Sequence, residues 1–553
     1  MTQPIIVGDH DLTLDDVVAV ARDHARIRLS ETVVDAMAAS RAWVRDAVEG
    51  TGDGAPVEAI YSINTGFGSL AGRQAFQDPH MAAELSRRLV ISNASGVGGW
   101  LDDDVVRAAT VIRIASLVRG FSGIRIEVVQ TLVDMLNRDV RPAVPEFGSL
   151  GASGDLIPLA HLAIVATRAA VGDDTPAASG QAWLDGELVT GLDAMAAAGI
   201  GRIALEAKEG LALLNGTSFS TAMAALAVHD ADRLARTSEV SAAMSIEALT
   251  GFGDAFLPQI HAARGHSGQI ASAAHVRALL AGSEFIDGAA DADPTRQPPQ
   301  DAYSLRCVPQ VLGAVRETIA FGRGIVEREI NAATDNPLIF TDLPRPLKAV
   351  SGGNFHAEYL AFVSDFVAIA TTEIGNIAER RLFRLDDGTL NRGLPDMLVA
   401  STDVGMDCGY MLPQYLAAAL VSDCKTLAHP DSVDSIPTCA NQEDHVSMAN
   451  NAGRHARQIV ANIEHVIGIE VIMAAQALEL RLAEAGRKPS ALAPATRAVL
   501  DLVRSTPTSD GTDITHLDRD VVMYPRVRAA AQLVHEGAVL AAVEPHTNEG
   551  EQS

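Results

Sequence analysis

The sequence predicts an all-α protein of long helices packed into a bundle, with a smaller mixed part at the N-terminus. Strand signals are scarce, because aromatic residues make up only 4% of the chain and β-branched runs such as Ile5-Ile6-Val7 are few. Residues 354–385 and 445–487 each run without proline and are apolar and rich in alanine. Helices of that length usually pack against one another in a bundle.

The length of 553 residues exceeds what one ordinary core fills. We expect an N-terminal domain over residues 1–205, a central long-helix bundle over 206–485, and a C-terminal helical region with a polar tail over 486–553. The first helix should begin after Thr13, because a threonine followed by acidic residues is typical of a helix N-terminus.

The strongly acidic composition excludes some partners. The formal net charge is −27, and both nucleic acids and anionic membrane surfaces need a basic face. The four cysteines form no CxxC pair, which favours a reducing compartment. The N-terminus lacks the basic and apolar regions of a signal peptide. We therefore expect a cytoplasmic protein that binds neither nucleic acid nor membrane.

One apolar segment is long enough to raise the question of a membrane span. Residues 210–229 contain no Asp, Glu, Lys or Arg. Five polar residues interrupt the segment: Asn215, Thr217, Ser218, Ser220 and Thr221. We expect a buried helix of a soluble protein, with polar side chains that serve a site.

Three loop regions interrupt the helical pattern, at residues 61–80, 141–154 and 286–303. Loops of this size in a compact helical protein usually carry function. The second loop ends in four small residues, Gly-Ala-Ser-Gly, at 151–154.

The small-residue run at 151–154 fits several kinds of chemistry. A serine nucleophile elbow needs G-x-S-x-G between a strand and a helix, and the run is one residue short. A phosphate cradle would need the Lys-Ser/Thr pair of a P-loop, which is absent. In a third reading, the Gly154 nitrogen attacks the Ala152 carbonyl, and two dehydrations turn Ser153 into an electrophilic methylidene. A plain turn is the remaining alternative.

Six blocks of sequence now bear on that choice. In chain order they read YSINTGFG at 61–68, GSLGASGDL at 148–156, LLNGT at 213–217, QDAYSLRC at 300–307, SGGNFH at 351–356 and SIPTCANQEDHVSM at 435–448. Together they resemble the motifs of the aromatic amino-acid ammonia-lyases and aminomutases. The NQEDHVSM block is most similar to the histidine ammonia-lyase branch.

The resemblance implies a fold, an assembly and a prosthetic group. The fold is the helical ammonia-lyase type, similar to fumarase and aspartase, in a homotetramer whose active sites are shared between subunits. The group is 4-methylidene-imidazol-5-one (MIO), formed from Ala152, Ser153 and Gly154 without any external cofactor. Such enzymes take a small amino-acid substrate.

The resemblance also assigns catalytic roles. The MIO captures the substrate amine, and Tyr61 takes the β-proton. A tyrosine does this only if its pKa of about 10 is lowered by its surroundings. Asn215 and Tyr303 support the MIO oxygen and the amine.

Substrate binding is expected from residues spread along the chain. Arg306 would hold the carboxylate with its guanidinium fork, although a structural ion pair is the alternative. Gln300 and Tyr303 would share its face if this segment is helical. Phe355 resembles the aromatic residue near the MIO. Glu443 suggests a polar substrate ring, while a carboxylate at a helix N-terminus is the alternative.

Two departures from the family pattern affect specificity. The histidine branch usually carries histidine where Asn93 stands, and the tyrosine and phenylalanine branches carry His-Leu or Phe-Leu where this chain has Ser92-Asn93. An asparagine can still bond an imidazole nitrogen. Ser62 replaces a glycine beside the base and could change how tightly the loop closes.

The sequence therefore predicts elimination of ammonia from an aromatic or imidazole amino acid, most simply L-histidine to urocanate. One alternative is a 2,3-aminomutase that makes β-histidine or β-tyrosine. Others are a lyase for tyrosine or a modified histidine, and a non-catalytic helical scaffold. No zinc site is expected, because His161, His356, His429 and His445 lack HExxH or CxxC companions.

Overall fold

Helices dominate the computed structural model, which describes residues 3–51, 59–72, 79–170, 172, 174–286, 299–401 and 405–547. Nineteen α-helices lie within these residues. They are α1 Leu14–Arg22, α2 Thr32–Glu49, α3 Pro79–Asn93, α4 Asp103–Val118, α5 Ile126–Asn137, α6 Leu156–Ala166, α7 Gly191–Ala197, α8 Glu209–Leu214, α9 Ser218–Ala248, α10 Pro258–Arg264, α11 Ser267–Leu279, α12 Tyr303–Arg306, α13 Val308–Ile330, α14 Glu358–Asp386, α15 Met411–Leu427, α16 Ala449–Ala485, α17 Pro494–Arg504, α18 Tyr524–His535 and α19 Ala538–Thr547.

Strands are short and fall mostly in the N-terminal part. They are β1 Ile5–Val7, β2 Ile27–Leu29, β3 Val97–Trp100, β4 Arg141–Pro142, β5 Pro145–Phe147, β6 Thr167–Arg168, β7 Gln181–Leu184, β8 Glu187–Thr190, β9 Ile203–Ala204, β10 Leu338–Ile339 and β11 Ala349–Val350. β1 pairs in parallel with β2, β6 in parallel with β9, β3 antiparallel with β5, and β10 antiparallel with β11. In the described residues the largest sheet has three strands, in the order β4-β7-β8. The predicted fold class, all-α with a smaller mixed N-terminal part, is confirmed.

By compactness the chain divides into two units. The first comprises residues 1–226, 323–365 and 430–454, and the second comprises 227–322, 366–429 and 455–553. The three continuous domains expected from the sequence stay a prediction.

The helices expected from local pattern are present. Thr13 caps α1, since its Oγ1 accepts from the Asp16 nitrogen at 3.1 Å and its own nitrogen donates to Asp16 Oδ2 at 2.8 Å. The two proline-free stretches form α14 and α16. Among the described helices, α14 alone is long and apolar enough to cross a membrane, and 72% of its apolar stretch is buried in the fold. That burial is typical of a core helix.

The apolar segment 210–229 is buried, but the prediction of one continuous helix was wrong. Helix α8 ends at Leu214 and α9 begins at Ser218. Between them Gly216 has a φ of +146°, and a Cβ there would overlap the Arg113 guanidinium. The break turns the Asn215 side chain toward the loop that ends at residue 154.

The second unit is held together by a buried charged cluster. Glu470 accepts from Arg381 Nε at 2.5 Å and Nη2 at 2.8 Å, and from Ser241 and Ser245 at 2.7 and 2.8 Å. All four residues are fully buried. Because removal of one partner would leave a buried charge, at a cost of roughly 3–5 kcal/mol, this cluster fixes the packing of α9, α14 and α16 there.

Candidate active site

The loop before α6 depends on two glycines. Gly151 and Gly154 both have a φ of +71°, the region that favours glycine. A Cβ at Gly154 would overlap the Gly216 carbonyl, and a Cβ at Gly151 would overlap the Ser447 hydroxyl. Glycine is therefore required at both positions for two reasons, the left-handed backbone conformation and the close packing of neighbouring atoms.

Asp155 anchors the end of this loop. Its carboxylate accepts from the Ser149 hydroxyl at 2.8 Å and from the Ser220 nitrogen and hydroxyl at 2.7 and 2.8 Å. Its own nitrogen donates to the Gly216 carbonyl at 2.7 Å. Complete burial raises the pKa of the Asp155 carboxyl, against the pull of these hydrogen bonds. The contacts tie the loop to the start of α9.

Ser153 is held at both ends. The Asn215 Nδ2 donates to the Ser153 carbonyl at 2.9 Å, and the Ser153 hydroxyl donates to Glu443 Oε1 at 2.5 Å. Ala152 is only 8% exposed and packs in a small apolar cluster with Val446. The tripeptide 152–154 is thus fixed by contacts from two other segments of the first unit.

A short loop fixes Glu443 in turn. Thr438 donates its hydroxyl to Glu443 Oε2 at 2.8 Å and its nitrogen to the Glu443 carbonyl at 2.9 Å. Three of the four residues between them have a positive φ: Cys439 at +50°, Ala440 at +53° and Asn441 at +66°. Non-glycine residues in this region store strain of order 1–3 kcal/mol each, which is typical of functional sites.

Tyr61 lies beside this loop, and its pKa does not follow the expectation. Its hydroxyl accepts from the Gly68 nitrogen at 3.0 Å. Burial raises the pKa of Tyr61, and the nearby Cys439 and Glu443 raise it further, while the Gly68 hydrogen bond opposes them. The residues around Tyr61 therefore do not by themselves lower its pKa, because burial outweighs the single favourable hydrogen bond, and its role as base stays a prediction.

Ser62, next to the base, has a φ of +55° and is buried. Its nitrogen donates to the Thr65 hydroxyl at 3.1 Å. The serine therefore occupies a backbone conformation that suits the glycine found in the family.

Ser92 and Asn93 end helix α3. The Ser92 hydroxyl and the Asn93 Nδ2 both donate to the Leu89 carbonyl, at 3.1 and 2.8 Å. These bonds satisfy the end of their own helix. The bond to Leu89 uses one of the two N–H groups of the Asn93 amide, and Nδ2 also lies 3.5 Å from the Ser92 hydroxyl.

Phe355 lies half-buried in a segment that contacts the small-residue loop, since the Ala357 nitrogen donates to the Gly151 carbonyl at 3.4 Å. His356 and His445 also meet in the first unit, with Nε2 and Nδ1 3.3 Å apart, and Glu358 lies close enough to complete a possible ligand set within 4.8 Å. Spacing motifs could not show this cluster, and the expected absence of zinc stays a prediction.

The carboxylate-binding candidates lie in the second unit. Arg306 donates from Nε to the Asp301 carbonyl at 2.8 Å, and its guanidinium stacks 4.6 Å from the centre of the Tyr303 ring. Tyr303 is 70% exposed. Helix α12 covers only Tyr303–Arg306, so Gln300 lies outside it and shares no helical face with Arg306.

Comparison with known proteins decides the family. A family model described as aromatic amino acid lyase matches residues 12–505. The chain belongs to the aromatic amino acid lyase family.

Relatives and solved structures agree with that family. Histidine ammonia-lyase of Gloeobacter violaceus is 42% identical and covers 98% of each chain. Tyrosine aminomutase from Streptomyces globisporus superposes with a TM-score of 0.88 at 33% identity and covers 100% of each chain. Histidine ammonia-lyase from Trypanosoma cruzi gives a TM-score of 0.84 at 36% identity, covering 99% of this chain and 96% of that one. The predicted family and enzyme class, a carbon–nitrogen lyase, are confirmed.

Sequence reasoning missed several residues that shape the site of this lyase. Three of these residues lie in or near the six sequence blocks that resemble the family: Asp155, Ser220 and Thr438. The sequence predicts no function for any of them. The acidic residue directly after Gly154 was the one available signal. No sequence signal predicts that Thr438 holds the Glu443 carboxylate. The bond between them depends on the left-handed turn that brings the two residues together.

Proposed function

We propose that this lyase eliminates ammonia from L-histidine and releases urocanate. The observation that carries the proposal is the carboxylate of Glu443, fixed 2.5 Å from the hydroxyl of Ser153. A carboxylate at this point suits a substrate ring that donates N–H hydrogen bonds or carries a positive charge. The 42% identical histidine ammonia-lyase supports the same substrate.

We further propose that Ala152, Ser153 and Gly154 form the MIO group, with no external cofactor. The fit rests on three features of the chain. Gly154 has no room for a Cβ, Asn215 holds the Ser153 carbonyl, and the Asn215 Oδ1 is buried without a hydrogen-bond partner. MIO supplies an electrophile that holds the substrate amine and makes it a better leaving group.

Tyr61 is proposed as the base that takes the β-proton. Its pKa is raised in the chain without substrate, so the phenolate must form in the complex. The substrate brings an ammonium group, and a positive charge beside a phenol favours ionisation. Tyr61 thus becomes a base only when a substrate is bound, which limits proton transfer to productive complexes.

The remaining groups bind and orient the substrate. Arg306 is fixed by Asp301 and by the Tyr303 ring, and we assign its terminal nitrogens to the substrate carboxylate. Tyr303 supports the amine, while Gln300 is assigned to substrate binding on the resemblance alone.

The ring end of the substrate is assigned to other residues. Phe355 supplies an aromatic wall, and Ser92 and Asn93 lie at the end of α3. One N–H of the Asn93 amide bonds Leu89, and we assign its carbonyl oxygen to accept a hydrogen bond from the ring. Glu443 offers a second acceptor. Two acceptors suit an imidazolium ring, which has two N–H donors.

An aminomutase is the second candidate, favoured by the strained Ser62 beside the base. A loop that closes differently would retain ammonia long enough for it to add back at the β-carbon. The assay is direct: purified enzyme with L-histidine should release ammonia and urocanate in equal amounts. Formation of β-histidine without free ammonia would instead establish the aminomutase. The same assay with tyrosine and modified histidines defines the substrate range.

The assembly is proposed to be a homotetramer with active sites shared between subunits. Large apolar side chains of the second unit are exposed, among them Phe321 at 54%, Ile369 at 48% and Tyr415 at 63%. Exposed apolar surface of this kind marks interaction sites. The net charge of −27 supports a cytoplasmic location without nucleic acid or membrane partners. Light scattering should give a mass of four chains.

A further inference from the structure

Residue 153 is encoded as a serine, and the serine hydroxyl has one close acidic neighbour. Ser153 Oγ lies 2.5 Å from Glu443 Oε1. Substrate recognition as proposed uses the Glu443 carboxylate but not its bond to the Ser153 hydroxyl, because the hydroxyl is lost when the tripeptide matures. We propose that Glu443 is the acid that protonates the departing Ser153 hydroxyl during maturation, an inference that rests on the proposed function.

The maturation loses two waters in two steps. First the Gly154 nitrogen bonds to the Ala152 carbonyl carbon. The carbonyl oxygen leaves as water with the hydrogens of the Gly154 and Ser153 nitrogens, and a C=N double bond forms between the Ala152 carbonyl carbon and the Ser153 nitrogen. Then Ser153 loses its Cα proton to solvent and its Cβ–Oγ bond breaks, forming a Cα=Cβ double bond. The Glu443 carboxylate, which accepts from the Ser153 hydroxyl while ionised, first takes a proton from solvent on Oε1. That proton passes to Oγ, which leaves as water, and the carboxylate is restored. No oxidant or reductant is consumed.

The second dehydration needs an acid because the Ser153 hydroxyl is a poor leaving group. Hydroxide leaves carbon reluctantly, whereas water leaves readily, and a positioned general acid typically contributes about 10²–10⁴-fold. The acid must be within hydrogen-bond distance of Oγ. Glu443 meets this condition in the unprocessed chain.

The other polar groups around the tripeptide are engaged elsewhere. Asp155 uses its carboxylate on Ser149 and Ser220. Asn215 bonds the carbonyl of Ser153 rather than its hydroxyl, and an amide is a poor acid. The Tyr61 hydroxyl is bonded to the Gly68 nitrogen. Among the residues that the structure describes, Glu443 is therefore the acid bonded to the leaving oxygen.

The surroundings of Glu443 suit proton transfer. Thr438 bonds Oε2 at 2.8 Å and so turns Oε1 toward Ser153. Glu443 is half-buried rather than sealed, so solvent can resupply its proton. The left-handed residues 439–441 hold the carboxylate in place at the cost of strain.

Maturation and substrate recognition then use the same carboxylate in succession. While Ser153 keeps its hydroxyl, Glu443 Oε1 is occupied by it. Loss of the hydroxyl leaves this oxygen as an acceptor for the substrate ring. The unprocessed enzyme therefore lacks both the electrophile and a free ring acceptor.

The test is the intact mass of newly synthesised full-length enzyme, sampled over time. Wild type should lose two waters. Glu443→Gln, which keeps the shape but has no acid, should accumulate a species that has lost one water, with the second loss at least about 100-fold slower. Asp444→Asn removes an exposed neighbouring carboxylate and should mature like wild type. Circular dichroism on all three proteins checks that the fold is retained.

Each outcome is decisive. Loss of two waters by Glu443→Gln at the rate of Asp444→Asn overturns the inference, and so does a variant that keeps both waters. If wild type itself loses no water, the proposed function fails as well, which separates the two failures. If Glu443→Gln does not fold, Thr438→Val replaces it as the test. This variant keeps the Glu443 carboxyl but removes the hydroxyl that bonds its Oε2. Its second water loss should be slowed, and an unchanged rate would overturn the inference.

Discussion

Asn215 donates its side-chain amide to the carbonyl of Ser153 at 2.9 Å, while its own Oδ1 stays buried without a partner. The bond crosses from the break between α8 and α9 to the small-residue loop. It fixes the carbonyl whose oxygen we assign to the prosthetic group. The break in the helix and the chemistry of the loop are therefore one feature of the fold.

Asn215→Ala should separate activity from stability. The variant loses the N–H that Asn215 donates to the oxygen of the prosthetic group, where negative charge develops during the reaction. This loss should lower kcat by about 10²–10³-fold. The free energy of unfolding should change little, because loss of one hydrogen bond, worth about 1 kcal/mol, is offset by removal of a buried unpartnered oxygen. Steady-state kinetics and urea titration measure both. Asn376→Ala, at an exposed position of α14, is the control, and a wild-type kcat in Asn215→Ala would contradict the assignment.

Tyr61 should produce different pH profiles for the free enzyme and the complex. Burial raises its pKa without substrate, so kcat/KM should keep rising with pH up to and beyond about 10. The substrate ammonium lowers the pKa in the complex, so kcat should level off at lower pH. Profiles of both constants for wild type and Tyr61→Phe give the measurement. If the Tyr61→Phe variant keeps the rise of activity with pH, a group other than Tyr61 is the base.

Gly154→Ala should both destabilise the fold and block maturation. The positive φ costs about 1–2 kcal/mol for alanine, and overlap with the Gly216 carbonyl adds about 1–3 kcal/mol. Gly186→Ala is a matched control, since Gly186 has a φ of +83° with nothing near its added Cβ. Gly186→Ala should lose only the roughly 1–2 kcal/mol of unfolding free energy that the positive φ costs, and it should mature fully. Equal losses of unfolding free energy in the two variants would contradict the close packing described at Gly154.

Asn93→His tests the substrate. If histidine is the natural substrate, the variant should keep or raise L-histidine turnover, because it restores the ring-contacting residue usual in the histidine branch. If the pocket serves another amino acid, native activity should fall while histidine turnover appears. A panel of aromatic and imidazole amino acids, assayed for ammonia, distinguishes these outcomes. Ser95→Ala, an exposed neighbour, should leave the panel unchanged.

Local pattern predicted the helices well, because their signals are local. The Thr13 cap and the proline-free stretches of α14 and α16 needed no knowledge of distant residues. The break at Gly216 could not be predicted from hydrophobicity, since the segment is apolar on both sides. It arises where Arg113, distant in sequence, packs against the glycine.

The site was predicted in composition but not in electrostatics or orientation. The blocks that resemble the family contain Tyr61, Ser153, Asn215 and Glu443, and the first unit brings them together. The raised pKa of Tyr61 depends on burial, which no motif encodes. The Asn93 side chain is predicted to meet the substrate with a donor or an acceptor, and no motif predicts that one of its N–H groups bonds the Leu89 carbonyl.

We propose that Ser153 is consumed to make the electrophile of an ammonia-lyase. Intact mass and ammonia release, measured on the same preparations of wild type, Ser153→Ala and the exposed control Ser505→Ala, test it most directly. Wild type and Ser505→Ala should both lack two waters and release ammonia from L-histidine. Ser153→Ala should have neither the mass deficit nor the activity. A wild-type enzyme that releases ammonia at the full mass of its sequence would contradict the account.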